Sequence, residues 1–304
     1  MTTAILGPGG VGGLLGAALD RAGEQVVIVA RESTAALIGV SGLRVSSVSL
    51  GELVARPRAV AALEEPVGAL IVATKADGLL AALERIRAAP RLVLPLLNGL
   101  DHLAVLRERF APDSVVAGAI RVEADRPQPG VIVHTSRFLR VDMASRERSM
   151  RAPMQALAEM LSAAGVPARV LDSEAQVMWS KLVRLNALAC TTSAYDKLLG
   201  EIRATPELRR DLEAAIAEAC AVGRAEGAQD VEPATAIAEL ARAHDTLGSS
   251  MQRDIAAGRA PELDAIPGAV LRAAARHDLR CPTIERLVAM IATRAGIPGP
   301  VIAH

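Results

Sequence analysis

The chain has 304 residues, of which 51% are hydrophobic. That is enough for two domains, each with its own core. Its four aromatics are Phe110, Phe138, Trp179 and Tyr195, so those cores must be aliphatic. The formal net charge is zero and like charges form no block, which argues against a nucleic-acid footprint or a membrane-surface patch. No apolar run reaches the roughly 18 residues of a spanning helix, and the chain opens on a strand rather than a basic leader, so a cytoplasmic protein is expected. Cys190, Cys220 and Cys281 are far apart and outside C-x-x-C spacing. Neither a disulfide framework nor a metal site is expected from them, and they read as core residues.

In chain order, Ala4-Ile5-Leu6 is a short apolar run that enters Gly7-Pro8-Gly9-Gly10-Val11-Gly12, after which Leu14, Leu15, Ala18 and Leu19 recur at helical spacing. This is strand, glycine turn, helix. The G-x-G-x-x-G pattern suits a dinucleotide: the first glycine permits a tight turn, the second lets backbone N–H groups approach a pyrophosphate, and the third lets helix pack on strand. Gln25–Val29 reads as a second strand. Arg31 follows its end, 19 residues past Gly12, where an arginine would favour a 2′-phosphate and an acid a 2′-hydroxyl. Arg31 is the preferred candidate and points to NADP(H); a slip of one residue would put Glu32 there instead.

Residues 40–56 alternate loosely around the turn glycines Gly42 and Gly51, and are expected as short strands or a hairpin inserted in the wound sheet. Gly68–Thr74 is a continuous apolar run, as for a parallel strand buried on both faces, and Lys75 stands at its carboxyl end, where α/β sheets bind ligands. A helical segment is expected over Gly78–Ala88 and a buried strand over Arg91–Leu97, followed by Asn98-Gly99. Further strands are expected at Val115–Val122, Gly130–His134, Phe138–Asp142 and Pro167–Leu171. A turn-rich stretch should lie at Asp125–Gly130 and a helix at Met150–Gly165.

From Glu174 the strand-like runs stop. Helical stretches follow at about 174–196, 206–227, 233–245, 264–277 and 283–294. The expected architecture is an α/β Rossmann-type domain over 1–170 and an all-α domain over 171–304. Lysine is rare: Lys75, Lys181 and Lys197 are the only three, against 34 basic residues in all. Where a bare positive charge suffices this chain uses arginine, so a lysine can mark a place that needs a titratable amine.

The order of the N-terminal glycine turn, the strand-end lysine, Asn98-Gly99, Trp179-Ser180-Lys181, Ser249-Ser250-Met251 and Glu262-Leu263-Asp264 resembles the ketopantoate reductase (2-dehydropantoate 2-reductase) family over nearly the whole chain. The resemblance implies a Rossmann domain joined to a helical domain, with the active site in the cleft between them. It implies reduction of the C2 carbonyl of ketopantoate to pantoate by NADPH, on the way to pantothenate. Gly7, Pro8, Gly9, Gly10, Val11 and Gly12 would hold the pyrophosphate, and Arg31 and Lys75 the 2′-phosphate end. Asn98 would lie by cofactor and substrate. Lys181 would be the general acid, Ser250 a substrate hydrogen-bonder, and Glu262 a partner orienting the cofactor or the lysine.

The chain departs from the family pattern on the lysine's helix. The family usually presents asparagines one and two helical steps past the lysine, and here those steps are Leu185 and Ala189. Asn186 lies roughly 140° round the helix from Lys181, and Thr192 returns to the lysine's face only about 16 Å away. A less polar substrate pocket is therefore expected, and the substrate is open to a more apolar ketone or imine. A non-catalytic NADP(H) sensor is the alternative from another class. No nucleic acid, membrane or metal partner is expected, and a homodimer is compatible with the aliphatic helical domain.

Overall fold

The structure is a computed structural model that describes residues 1–302; residues 303 and 304, the end of the expected second domain, lie outside the described residues. The chain divides into two compact units. One comprises Met1–Leu97 with His102–Val177, the other Asn98–Asp101 with the chain from Met178 onward. The division falls inside a long helix, and four residues following a strand of the first unit belong with the second.

In the first unit the elements in chain order are β1 (Thr3–Leu6), α1 (Gly10–Arg21), β2 (Val26–Val29), α2 (Glu32–Ser41), β3 (Leu43–Ser47), β4 (Gly51–Ala55), β5 (Arg58–Val60), β6 (Ala69–Val72), α3 (Leu79–Leu83), β7 (Val93–Pro95), α4 (His102–Arg109), β8 (Ala117–Arg121), β9 (Ala124–Gln128), β10 (Val131–His134), β11 (Arg140–Ala144), α5 (Arg151–Ala163) and β12 (Ala168–Val170). The central sheet is parallel in the order β5-β2-β1-β6-β7. The chain starts in the middle, winds out one way and returns to wind out the other, so the strand order reverses between β1 and β6, the place where such sheets take ligands. Alternate residues face opposite sides. Ile5, Ile28 and Ile71 share a core with Leu14, Leu15 and Leu19 of α1, while Leu6, Val29 and Val72 face Leu79, Leu83 and Leu106. Both faces being covered, these strands have no polar side, which is why they read as continuous apolar runs.

Three expectations are corrected here. The β3–β4 hairpin forms, but in a separate sheet ordered β4-β3-β10-β9 rather than in the wound sheet. Asp125–Gly130, expected as turn, is largely the exposed edge strand β9, paired antiparallel with β10 across a register shift; an edge tolerates Pro127, whose missing N–H can face solvent. The helix expected over 78–88 is shorter, a 3₁₀ turn at Ala76–Gly78 followed by α3. The remaining strands form the sheet β12-β11-β8.

The second unit is helical: most of α6 (Glu174–Tyr195), then α7 (Leu199–Ala204), α8 (Pro206–Ala225), α9 (Pro233–Arg242), α10 (Ser250–Ala256), a π-helical turn at Asp264–Gly268, α11 (Ala269–Arg276) and α12 (Pro282–Ala295). Helix α8 packs against α7, α9, α11 and α12, and Trp179 of α6 is buried on it, with ring atoms 3.1 Å from where a Cβ on Gly223 would stand. The three cysteines are buried, and burial raises their thiols well above the ordinary value, to about 11 at Cys220 and about 12 at Cys281. Such thiols are inert packing groups. Among the described residues no helix is long and apolar enough to cross a membrane.

His134 is buried in the first unit between two serines, with Nδ1 2.7 Å from Ser47 Oγ and Nε2 3.2 Å from Ser136 Oγ. Ser136 spends its proton on Phe138 O, so Nε2 must donate to it and Nδ1 must accept from Ser47: the ring is the neutral Nε2–H tautomer. Burial lowers its pKa below the ordinary 6.5. The unfolded chain then takes up the proton first as pH falls, so this contribution to stability is complete above about pH 6.5 and lost below it. Thermal melts between pH 8 and pH 5 should show a fall in Tm on the acid side that is shallower in His134→Gln; identical slopes would contradict the assignment.

Candidate active site

The glycine turn joins β1 to α1 at the switch point of the sheet. Gly7 has φ +93°, a conformation that only glycine adopts without strain. A Cβ on Gly12 would stand 2.2 Å from Gly7 O and 3.1 Å from Ile5 Cγ2, so its bare backbone is what lets α1 lie against β1. Gly9 differs, since a Cβ there would meet nothing nearer than Ala73 O at 3.9 Å. The protein leaves that side open. The first-turn N–H groups of α1 have no intrahelical acceptor and sit at the positive end of the helix dipole, and α1 has no acidic residue in that turn. Thr74, which follows β6, has a buried Oγ1 with no hydrogen-bond partner among the described residues, and its Cγ2 is 2.9 Å from the Cβ position of Gly7. An open glycine, a helix N-terminus and an orphan hydroxyl together fit a dinucleotide's pyrophosphate.

Arg31 and Glu32 compete for the position after β2. Glu32 is already engaged: Arg85 Nη1 donates to its Oε1 at 3.1 Å and to the carbonyls of Ala30 and Ala61. That hydrogen bond holds the Glu32 carboxyl below the usual carboxylate range. Arg31, the residue before α2, is exposed and extended, as is Lys75 before the 3₁₀ turn that follows β6.

Within the second unit three residues form a hydrogen-bonded chain. Lys181 Nζ donates to Asn98 Oδ1 at 2.8 Å, and Asn98 Nδ2 donates to Glu262 Oε2 at 3.0 Å. An ammonium can only donate and a carboxylate only accept, so the two neighbours leave the carboxamide one orientation. Trp179, two residues before Lys181, is buried; a step of two turns a helix by about 200°, so anchoring the indole turns the half-buried lysine to the other side of α6. Asn98 reaches this unit on a tight turn. Gly99 has φ +85°, and a Cβ there would stand 1.9 Å from Ala265 O, so the backbone at Asn98-Gly99 lies directly on the π-helical turn that follows Glu262.

Two regions of the chain match the family descriptions "Ketopantoate reductase PanE/ApbA", over residues 3–146, and "Ketopantoate reductase PanE/ApbA C terminal", over residues 175–295. A 2-dehydropantoate 2-reductase of Mycobacterium tuberculosis is 30% identical over 310 aligned positions, spanning 97% of this chain and 98% of that one. The chain belongs to the ketopantoate reductase family. It is also similar to an uncharacterized oxidoreductase, YkpB, of Bacillus subtilis, at 29% identity over 94% of this chain and 96% of that one. A structure of D-mandelate dehydrogenase with NADH and anilino(oxo)acetate shares the fold, with TM-score 0.86 and 21% identity over 97% of this chain and 99% of that one.

Against the ketopantoate reductase pattern the helix past Lys181 is apolar: Leu185 is half-buried and Ala189 fully buried. Asn186 is also fully buried. Its Oδ1 accepts from Cys190 Sγ at 3.6 Å and its Nδ2 has no partner among the described residues. Thr192 turns inward, its hydroxyl donating to Leu188 O and accepting from Ser249 Oγ 2.8 Å away. Ser250 is the first residue of α10, and the cap is Ser249, whose Oγ accepts from Gln252 N at 3.0 Å. Thr74 was not singled out from the sequence, because an unpaired hydroxyl has no signature there.

The contrast between the glycines gives a test. Gly9→Ala should fold with stability within about 0.5 kcal/mol of wild type while losing dinucleotide affinity in a fluorescence titration. Gly12→Ala should lower Tm, because its methyl would enter the space of Gly7 O. Equal behaviour of the two variants would contradict the assignment of the open side to a ligand.

Proposed function

We propose that this chain is a nicotinamide-dependent reductase of a 2-oxo acid, with NADPH as the preferred donor and Lys181 as the proton donor. The observation that carries the reading is the Lys181–Asn98–Glu262 chain. A bound reduced nicotinamide supplies a hydride to the carbonyl carbon. Charge then grows on the carbonyl oxygen, and an ammonium both stabilises that oxygen and gives it a proton. Arginine cannot do the second task, since a guanidinium keeps its proton, and this chain otherwise prefers arginine. An ammonium has three donors, so the bond to Asn98 aims Lys181 and is compatible with another to a substrate oxygen. Glu262 keeps Asn98 oriented with its oxygen towards the lysine.

The preference for NADPH rests on Arg31. With Glu32 held by Arg85, Arg31 and Lys75 are the groups after β2 and β6 suited to a 2′-phosphate. For the substrate, family membership favours ketopantoate, with Ser250 as a hydrogen-bonding contact, and a role in pantothenate synthesis. Leu185 and Ala189 favour instead a carbonyl with an apolar substituent, because a site without polar partners gains little from a substrate hydroxyl. The fold's likeness to a D-mandelate dehydrogenase, named for an aryl 2-hydroxy acid, supports that alternative. A non-catalytic NADP(H) sensor would have no use for an aimed proton donor.

Steady-state oxidation of NADPH with ketopantoate and a panel of aliphatic and aryl 2-oxo acids tests the reading, and failure with every carbonyl while NADPH still binds would refute it. Lys181→Ala should lower kcat about a thousandfold with the Kd for NADPH nearly unchanged; parallel losses would mark the lysine as structural. Arg31→Ala should weaken NADPH about tenfold or more and NADH much less, and an unchanged preference would return the ribose site to Glu32.

A further inference from the structure

The Asn98–Glu262 bond joins two segments far apart in sequence, and a carboxamide relay tolerates little error in their spacing. The segments touch through backbone at Gly99 and Ala265, and one side chain ties them together. Arg272 of α11 donates from Nη2 to Asp101 Oδ2 at 2.6 Å, three residues past Asn98. From Nη1 it donates to Asp264 Oδ1 at 2.7 Å, two residues past Glu262. Its Nη2 also reaches Asp264 O at 2.9 Å, and its Nη1 reaches Val301 O at 3.1 Å.

The local backbone is shaped for this fork. Pro267 has no N–H to give Leu263 O, and Gly268 N takes that acceptor at 3.1 Å instead, which widens the turn into a π-helical one. Such turns often occur at functional sites. A Cβ on Gly268 would fall 2.8 Å from Pro300 Cβ, 3.2 Å from Asp264 Oδ1 and 3.3 Å from Arg272 Nη1, so the bare backbone there leaves room for both Pro300 and the ion pair. The Arg272 side chain is only 20% exposed. A planar guanidinium can hold two carboxylates at fixed spacing, which a single ammonium does less well.

We propose that Arg272 is a positioning residue for the proton donor: by clamping Asp101 and Asp264 it holds the Asn98 carboxamide in register between Lys181 and Glu262. This rests on the reading of Lys181 given above. Arg272 touches neither Lys181, Asn98 nor Glu262 in these contacts; it acts through the segments that carry them. The residue is 91 positions beyond Lys181 in sequence, and neither motif nor periodicity marks it.

The chain has only two asparagines, Asn98 and Asn186, so protein labelled with ¹⁵N at asparagine gives two side-chain NH₂ pairs, and Asn98→Ala identifies one of them. Arg272→Met should shift the Asn98 pair and leave the Asn186 pair in place. It should also lower kcat about 10- to 100-fold, as expected of a small misplacement of a catalytic group, with KM and NADPH affinity within about threefold. Arg272→Lys should recover part of that loss. If Arg272→Met does not fold, Asp101→Ala decides, since it removes one half-exposed arm of the clamp and leaves the Arg272–Asp264 pair; it should shift the same NH₂ pair with Tm nearly unchanged. An unmoved Asn98 pair in a folded variant overturns the clamp. The amide readout needs no turnover, so a wild-type chain that reduces no carbonyl would refute the reductase reading while the clamp is still decided by the amide.

Discussion

A carboxamide accepts at one end and donates at the other, and Asn98 uses both ends at once. Between an ammonium that only donates and a carboxylate that only accepts it has one stable orientation. The carboxylate of Glu262 therefore fixes which end of the Asn98 carboxamide faces Lys181. The rest of the second unit follows from keeping that geometry. Trp179 sets the rotation of α6, Gly99 lets the Asn98-Gly99 backbone lie on the π-helical turn, and Arg272 ties the two carboxylate-bearing segments.

The parallel sheet and its glycine turn were legible because their signals are local. Continuous apolar strands mean burial on both faces, and a glycine triplet after the first of them has few other uses. The lysine was legible through scarcity, against a background of arginine. What could not be read depends on encounters between distant segments. Asn98–Asp101 follows a strand of the first unit and packs with the second, and nothing in the local sequence says so. Residues 264–268 looked like ordinary helix, yet Pro267 removes one donor and the next N–H along takes its place. β9 looked like turn because proline and charge at an exposed edge are what a sheet edge tolerates, and loops favour the same residues.

After β2 a one-residue ambiguity in the sequence meets a tertiary contact. Arg31 and Glu32 are neighbours with opposite charge, and strand position alone does not choose between them. Arg85 engages the carboxylate of Glu32 from 53 residues away, while Arg31 and Glu32 both stay exposed. Thr192 and Ser249 are likewise engaged locally, their hydroxyls paired with each other and with backbone groups of α6 and α10.

Trp179 is the chain's single indole, and it is buried against the bare backbone of Gly223 two residues before Lys181. The helix that carries the ammonium therefore bears the protein's sole tryptophan chromophore, in a dry setting with no second emitter of its kind. Changes in the packing of α6 on α8 will alter its emission directly, which makes the native protein its own optical gauge of the helix on which the lysine rides.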